Sequence, residues 1–334
     1  MRFLLDAEQA EFGRTVGRML AAADTPAAVR AWGAGDGGPG REVWRRLAGA
    51  GVFGLAVPEK YGGAGFLPVE LVVAFAELGR HAVPGPVVET AAAAALLDRL
   101  GDAGPAGAWL PALTDGDLLA SYADLARGPY ALDAATADIT FIVSGDVLRR
   151  SDGSGPVQPS VDPARRLSRC TENEGDVLAS GPAVRAAAAQ AAETARLLTA
   201  AQALGVGRRL LDDTVTYVKQ RTQFGVAIGS FQSVKHRLAD VLLALEFAEP
   251  LVYGAAVELA GGAEAGAGIA MAKAAAGEAA YTAARAALQL HGALGYTDEL
   301  DLSLWIRKAR ALRGAWGTPA ECRARVLAAP APGG

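Results

Sequence analysis

The chain has 334 residues and a net charge of −4, which exceeds one ordinary domain and leaves too weak a field to hold nucleic acid or an anionic membrane. Hydrophobic residues make up 51% and Ala dominates several long windows, a composition of packed helices rather than of a disordered chain. Cys170 and Cys322 stand far apart without a CxxC or His/Cys cluster, so no metal is expected. Acidic residues interrupt the N-terminus at once, and no run of about 18 uncharged apolar residues occurs, so a cytoplasmic location is the default.

Residues 4–23 carry apolar groups at helical spacing, with Asp6 and Glu8 placed to suit the helix dipole. Residues 24–40 are rich in Gly, Ala and Pro and read as a loop, and 42–50 as a short helix closed by Gly51. An apolar run at 52–61 ends in the glycine-rich turn of 62–65. Helical periodicity returns at 68–80 and 87–100, with Pro84 and Pro86 between. Near residue 116 the composition changes. Segments 118–122, 139–143 and 176–178 read as strands separated by Gly, Pro, Asp and Ser, and 144–160 as a loop. From residue 183 the pattern is helical again, with 184–220 as one helix roughly 55 Å long. Helices at 231–260, 264–291 and 298–314 follow, and short connections make the four an antiparallel bundle. The predicted fold is mainly α with a small β-domain. It comprises an N-terminal helical domain at 1–115, a shortened central β-domain at 116–183, a four-helix bundle at 184–329 and a frayed tail at 330–334.

The candidate chemistry gathers after the long helix. Arg221-Thr222-Gln223-Phe224-Gly225 ends it, and Ile228-Gly229-Ser230-Phe231-Gln232 leads into the next helix. Arginine grips phosphate through a planar two-pronged donor set, and glutamines read amide edges or ribose hydroxyls. The spacing equally fits a solvated arginine before a glycine stop.

The stretch 217–232 resembles the flavin-contacting signature of the acyl-CoA dehydrogenase family. Three further segments resemble that family in the same order: Gly54–Gly65, Glu77-Leu78-Gly79-Arg80 and the later glycine turn Gln289-Leu290-His291-Gly292-Ala293-Leu294-Gly295. The resemblance spans most of the chain. It implies the same three-part fold, FAD as cofactor, and α,β-desaturation of an acyl-CoA thioester with electrons passed to a transfer acceptor. It implies that Arg221 reaches a flavin pyrophosphate across a subunit interface, with Gln223, Phe224 and Gln232 as its neighbours. Gln289, Gly292 and Gly295 would approach the nucleotide half of the flavin. His291 has two readings, a group that polarises a ligand or acts as a base and, the favoured one, a structural histidine in the turn; His81 and His236 read as packing or surface groups, and Asp240 as a packing residue.

Two departures bear on activity. Members of the family carry a catalytic glutamate either before a Gly-Thr pair near the C-terminus or early in the first bundle helix; Trp316 and Ala195 stand there in this chain. Indole accepts no proton at neutral pH. Glu193 lies about 200° round its helix from Ala195. Asp298 and Glu299 are the nearby carboxylates, either a displaced base or first-turn residues favouring a helix dipole. The central domain is also short, without the polar strands that hold a flavin ring. The pair of losses resembles the base-lacking subunit of actinobacterial α2β2 heterotetramers, whose implied substrates include CoA esters of steroid side chains. A self-sufficient homomeric dehydrogenase using Asp298 or Glu299, and a non-catalytic scaffold, are the alternatives.

Overall fold

The computed structural model describes residues 5–101, 103–153, 155–262 and 265–329; the tail expected at 330–334 lies outside them. Helix α1 (Ala7–Ala21) opens on a reciprocal cap. Asp6 accepts from the Gln9 amide, and the Gln9 side chain returns to the Asp6 amide, satisfying two free donors at once. Helices α2 (Thr25–Gly33) and α3 (Gly38–Gly49) occupy most of the stretch expected to be a loop. The prolines there sit in first turns, where a missing N–H costs nothing, and Asp24 caps α2 through the Ala27 amide. Burial of Trp32, Val43, Trp44 and Leu47 then holds both helices against the core.

A small ladder of β1 (Ala56–Val57) and β2 (Gly65–Phe66) leads to α4 (Pro68–Arg80), α5 (Val87–Arg99) and α6 (Ala103–Thr114). Every residue of α5 from Val87 to Leu97 is buried. Its alanine run lets neighbouring backbones approach on all sides, so it behaves as an internal helix rather than an amphipathic one.

The central segment contains β3 (Ala120–Asp124), β4 (Tyr130–Leu132), β5 (Ile139–Ser144), β6 (Val147–Ser151), β7 (Val157–Gln158), β8 (Leu167–Arg169) and β9 (Asp176–Ser180). One sheet has the order β3-β5-β6-β9, with β3 and β5 parallel; the other runs β4-β8-β7. Strands β6 and β7 fall within 144–160, so that loop expectation is corrected. The reason is pairing: β6 lies between β5 and β9 and pairs with both, with a register shift against β9 between Leu148 and Arg149, and this outweighs its polar Arg149 and Arg150.

The rest is helical: α7 (Pro182–Gln220), α8 (Gln232–Ala260), α9 (Gly266–His291), α10 (Leu302–Gly314) and α11 (Pro319–Ala328). The last was not anticipated; Thr318 and Glu321 form its capping box. Helices α4 and α7 cross at two glycines. A Cβ on Gly79 would lie 2.1 Å from the Gln202 carbonyl oxygen, and one on Gly205 1.8 Å from that of Ala76. One hydrophobic core runs from α1 to α10 through this crossing. Among the described residues no helix is long and apolar enough to cross a membrane.

Candidate functional site

The turn after α7 is a pinned, solvent-facing hairpin of β10 (Thr222–Gln223) and β11 (Val226–Ala227). Its tip, Phe224 and Gly225, has φ of 52° and 80°, the positive values that a tight two-residue hairpin turn needs. Phe224 is 92% exposed and meets Phe231 edge-on at 6.4 Å. Arg221, Gln223 and Gln232 are exposed, and their side chains make no hydrogen bond or ion pair among the described residues. A large exposed ring beside an uncommitted arginine marks a contact surface rather than a finished piece of core.

The glycine turn after α9 comes to the same end of the bundle. The His291 ring stacks on Tyr217 at 4.1 Å, one helical turn before Arg221. His291 is buried, with Nδ1 2.8 Å from the Ala287 carbonyl oxygen, which fixes its ring in place. Gln289 is exposed. Gly292 has φ of 61° and open space where a Cβ would stand, so a ligand can approach its backbone. Gly295 is buried, and a Cβ there would come 3.1 Å from Leu288; this glycine serves packing inside the turn. Asp240 is exposed rather than packed. These groups suit an anionic, ring-bearing cofactor such as FAD approached from outside this chain.

A second feature lies between the sheets and the bundle, a cavity of about 840 Å³. Trp316 lines it, at φ 56°, a left-handed conformation costly for a bulky residue. Three contacts hold it there. Its Nε1 donates to Glu89 Oε1 at 3.0 Å, its ring stacks on Tyr122 at 5.6 Å, and its carbonyl accepts from Arg196 Nε at 3.1 Å. Ala195 is fully buried. Glu193 binds Arg196 at 2.6 Å and Arg325 at 2.5 Å. Asp298 pairs with Arg307 at the surface, and neither it nor Glu299 lines the cavity.

Of the acids that line it, Asp124, Glu321 and Glu89, the buried one is Glu89, which sequence reasoning missed. It is 3% exposed, and burial pushes its carboxyl above the ordinary range. The available signal was a lone acid inside the apolar run of α5. Nearby, burial pushes Asp133 up to about 7 against the hydrogen bond from Trp32. Burial also lowers Lys273 to about 8, although Nζ donates to the Arg313 and Gly317 carbonyls.

Comparison with known proteins identifies the family. Residues 6–117 match the N-terminal domain of acyl-CoA dehydrogenases, and 184–329 match their C-terminal domain. The chain belongs to the acyl-CoA dehydrogenase family, FAD-dependent oxidoreductases acting on CH–CH bonds. It is 35% identical to the acyl-CoA dehydrogenase IpdE2 of Mycobacterium tuberculosis, covering 93% of this chain and 94% of that one. It is 32% identical to the acyl-CoA dehydrogenase FadE34 of the same organism over 86% of this chain, but only 42% of that longer one. A variant of the Tcur3481-Tcur3483 steroid ACAD superposes with a TM-score of 0.84 at 25% identity, covering 96% of this chain and 97% of the other.

Proposed function

We propose that this chain is one subunit of an α2β2 acyl-CoA dehydrogenase, completing a flavin site across an interface while a second, family-like subunit supplies the catalytic base. The observation that carries the reading is the pairing of a lost base with a kept surface. Trp316 stands where the family resemblance implies a base and is held by Glu89 and Tyr122, while Phe224 is exposed and Arg221 and Gln223 are exposed with no side-chain hydrogen bond among the described residues.

In this reading FAD, when bound, supplies the hydride acceptor for α,β-desaturation. Arg221 holds its pyrophosphate, Gln223, Phe224 and Gln232 orient and cover it, and Gln289 and Gly292, with Gly295 shaping the turn, meet its nucleotide half. Phe224 would exclude water at the junction. The exposed apolar residues of α8, Leu242, Leu243 and Phe247, supply a face for a second subunit. Two relatives support a larger assembly: a steroid ACAD whose name joins two products, and a longer chain of which this one matches less than half. The substrate in this reading is a CoA ester of a bulky, steroid-derived acyl group, and electrons leave to a transfer flavoprotein.

The test is to purify the chain alone and together with the acyl-CoA dehydrogenase encoded beside it. The expected result is activity and stoichiometric FAD only in the pair, with Arg221→Ala lowering FAD affinity of the pair by about tenfold or more. Full activity with one FAD per chain in the lone protein would overturn the proposal. An unchanged flavin content in the Arg221→Ala pair would reduce this chain to a scaffold.

A further inference from the structure

The hairpin after α7 and the glycine turn after α9 are distant in sequence, yet one ring contact joins the helix ends that carry them. Tyr217 stands in the last turn of α7, and His291 is the last residue of α9. Their rings stack with centroids 4.1 Å apart and planes 25° off parallel. His291 is the fixed member. It is 5% exposed, and its Nδ1 donates to the Ala287 carbonyl oxygen at 2.8 Å. Tyr217 is half-buried, its side chain makes no hydrogen bond among the described residues, and the stack on His291 orients its ring.

From Tyr217 the path to the hairpin is backbone. The Arg221 amide donates to the Tyr217 carbonyl at 2.9 Å, and the Arg221 carbonyl accepts from the Ile228 amide at 2.8 Å. Arg221 is thus held between the end of α7 and the return limb of the hairpin. Gly229 keeps that limb close to α7, since a Cβ there would come 3.0 Å from the Val218 carbonyl oxygen. On the other side Gly292 follows His291 directly, and its φ of 61° turns the chain out of α9. A ligand gripped at two points binds best when their spacing is set before it arrives, because ordering them during binding opposes association.

We propose that the Tyr217–His291 stack is the joint that sets the spacing between Arg221 and the Gly292 turn, so that Tyr217 and His291 are positioning residues for the FAD gripped there. This role rests on the reading of the two segments as one flavin-contacting surface. Stacking needs an aromatic ring but not the phenol hydroxyl. Phenylalanine at 217 therefore preserves the joint, and leucine removes it while staying apolar.

Two measurements separate the joint from the reading beneath it. In the full chain alone, hydrogen exchange of the Arg221 and Ile228 amides should be about fivefold faster in Tyr217→Leu than in wild type, and unchanged in Tyr217→Phe. In the subunit pair, FAD affinity should fall about fivefold in Tyr217→Leu, as far in His291→Leu, and no further in the double variant, because a single joint is broken only once. Tyr217→Phe should bind FAD as wild type does. A general loss of stability would instead accumulate in the double variant and would not be rescued by the ring. Circular dichroism verifies the folds, and should His291→Leu not fold, the Tyr217 variants decide alone. Unchanged exchange in Tyr217→Leu overturns the proposal, as does additive weakening in the double variant or equal weakening in Tyr217→Phe. Wild-type FAD affinity in Tyr217→Leu, with Arg221→Ala weakened, overturns the proposal and leaves the subunit reading standing. Wild-type affinity in Arg221→Ala as well removes both.

Discussion

Asp133 shows how a single side chain can set a pH response. It lies buried at φ 57°, and its Oδ1 accepts from Trp32 Nε1 at 2.9 Å and from the Arg166 amide at 3.3 Å. Oδ2 has no hydrogen-bond partner among the described residues, and burial carries the carboxyl up to about 7. A raised folded value means that the native state holds its proton longer than the unfolded chain. The contribution to stability is therefore full below about pH 4, where both states are protonated, and is lost as pH rises through about 7. Asparagine keeps the Oδ1 acceptor and tolerates left-handed backbone, but does not titrate. Urea unfolding from pH 4 to pH 8 should show the wild type losing stability relative to Asp133→Asn across that window. Parallel curves would mean that Asp133 is ionised in the fold throughout. Asp133 was not legible as a buried acid in the sequence, and Glu89 offered only the signal of a lone acid inside an apolar run. The partners that explain them, Trp32 and Trp316, are 101 and 227 positions away. Trp316 precedes a Gly-Thr pair, where the family resemblance implies a glutamate; its hydrogen bond to Glu89 was not legible in the sequence.

At the scale of the element, most helices were visible in the apolar period, and the helices read as loop share one cause. Gly and Pro mark breaks in a sequence but do not say on which side of a helix boundary they fall. Pro26 and Pro39 sit inside the first turns of α2 and α3, so a segment read as loop is helix. The helices also hide which glycines matter. Gly79 and Gly205 look like ordinary weak points in helices, yet they are where α4 and α7 touch. The Cβ of Gly205→Ala would meet backbone at 1.8 Å, and backbone cannot rotate aside as a side chain can. Overpacking of this kind costs about 3 kcal/mol, at the upper end of its usual range. Gly49→Ala is the contrast: it lies in the last turn of α3 with nothing within 4 Å of the added Cβ, and should gain about 0.5–1 kcal/mol from lost chain entropy. Denaturant midpoints of the two variants should move in opposite directions. A matching small shift in both would mean that the α4–α7 crossing is looser than the glycine contacts imply.

For the whole molecule, the division of labour is spatial. The cavity lies between sheets and bundle, whereas the proposed flavin-contacting residues lie at the surface on a hairpin and a glycine turn. A sequence motif names the chemistry of such a surface but not the body that covers it, and so the fold was readable while the assembly was not. Phe247 offers the most direct handle on the proposed assembly. It is 73% exposed on α8, with Leu243 at 53% and Leu242 at 42%, an apolar cluster whose burial against a partner would contribute substantially to binding. An aromatic anchor in an interface commonly accounts for 2 kcal/mol or more, or about thirtyfold in affinity. Phe247→Glu would place a charge where the partner should close over it. Because this ring supports little of the chain's own core, the isolated variant should melt within about 2 °C of wild type. Co-purification with the partner subunit and retention of FAD in the pair should both fall at least about thirtyfold. Intact assembly in Phe247→Glu would exclude this face of α8 from the interface and move the search for the partner's footprint to the Phe224 and Phe231 end of the bundle.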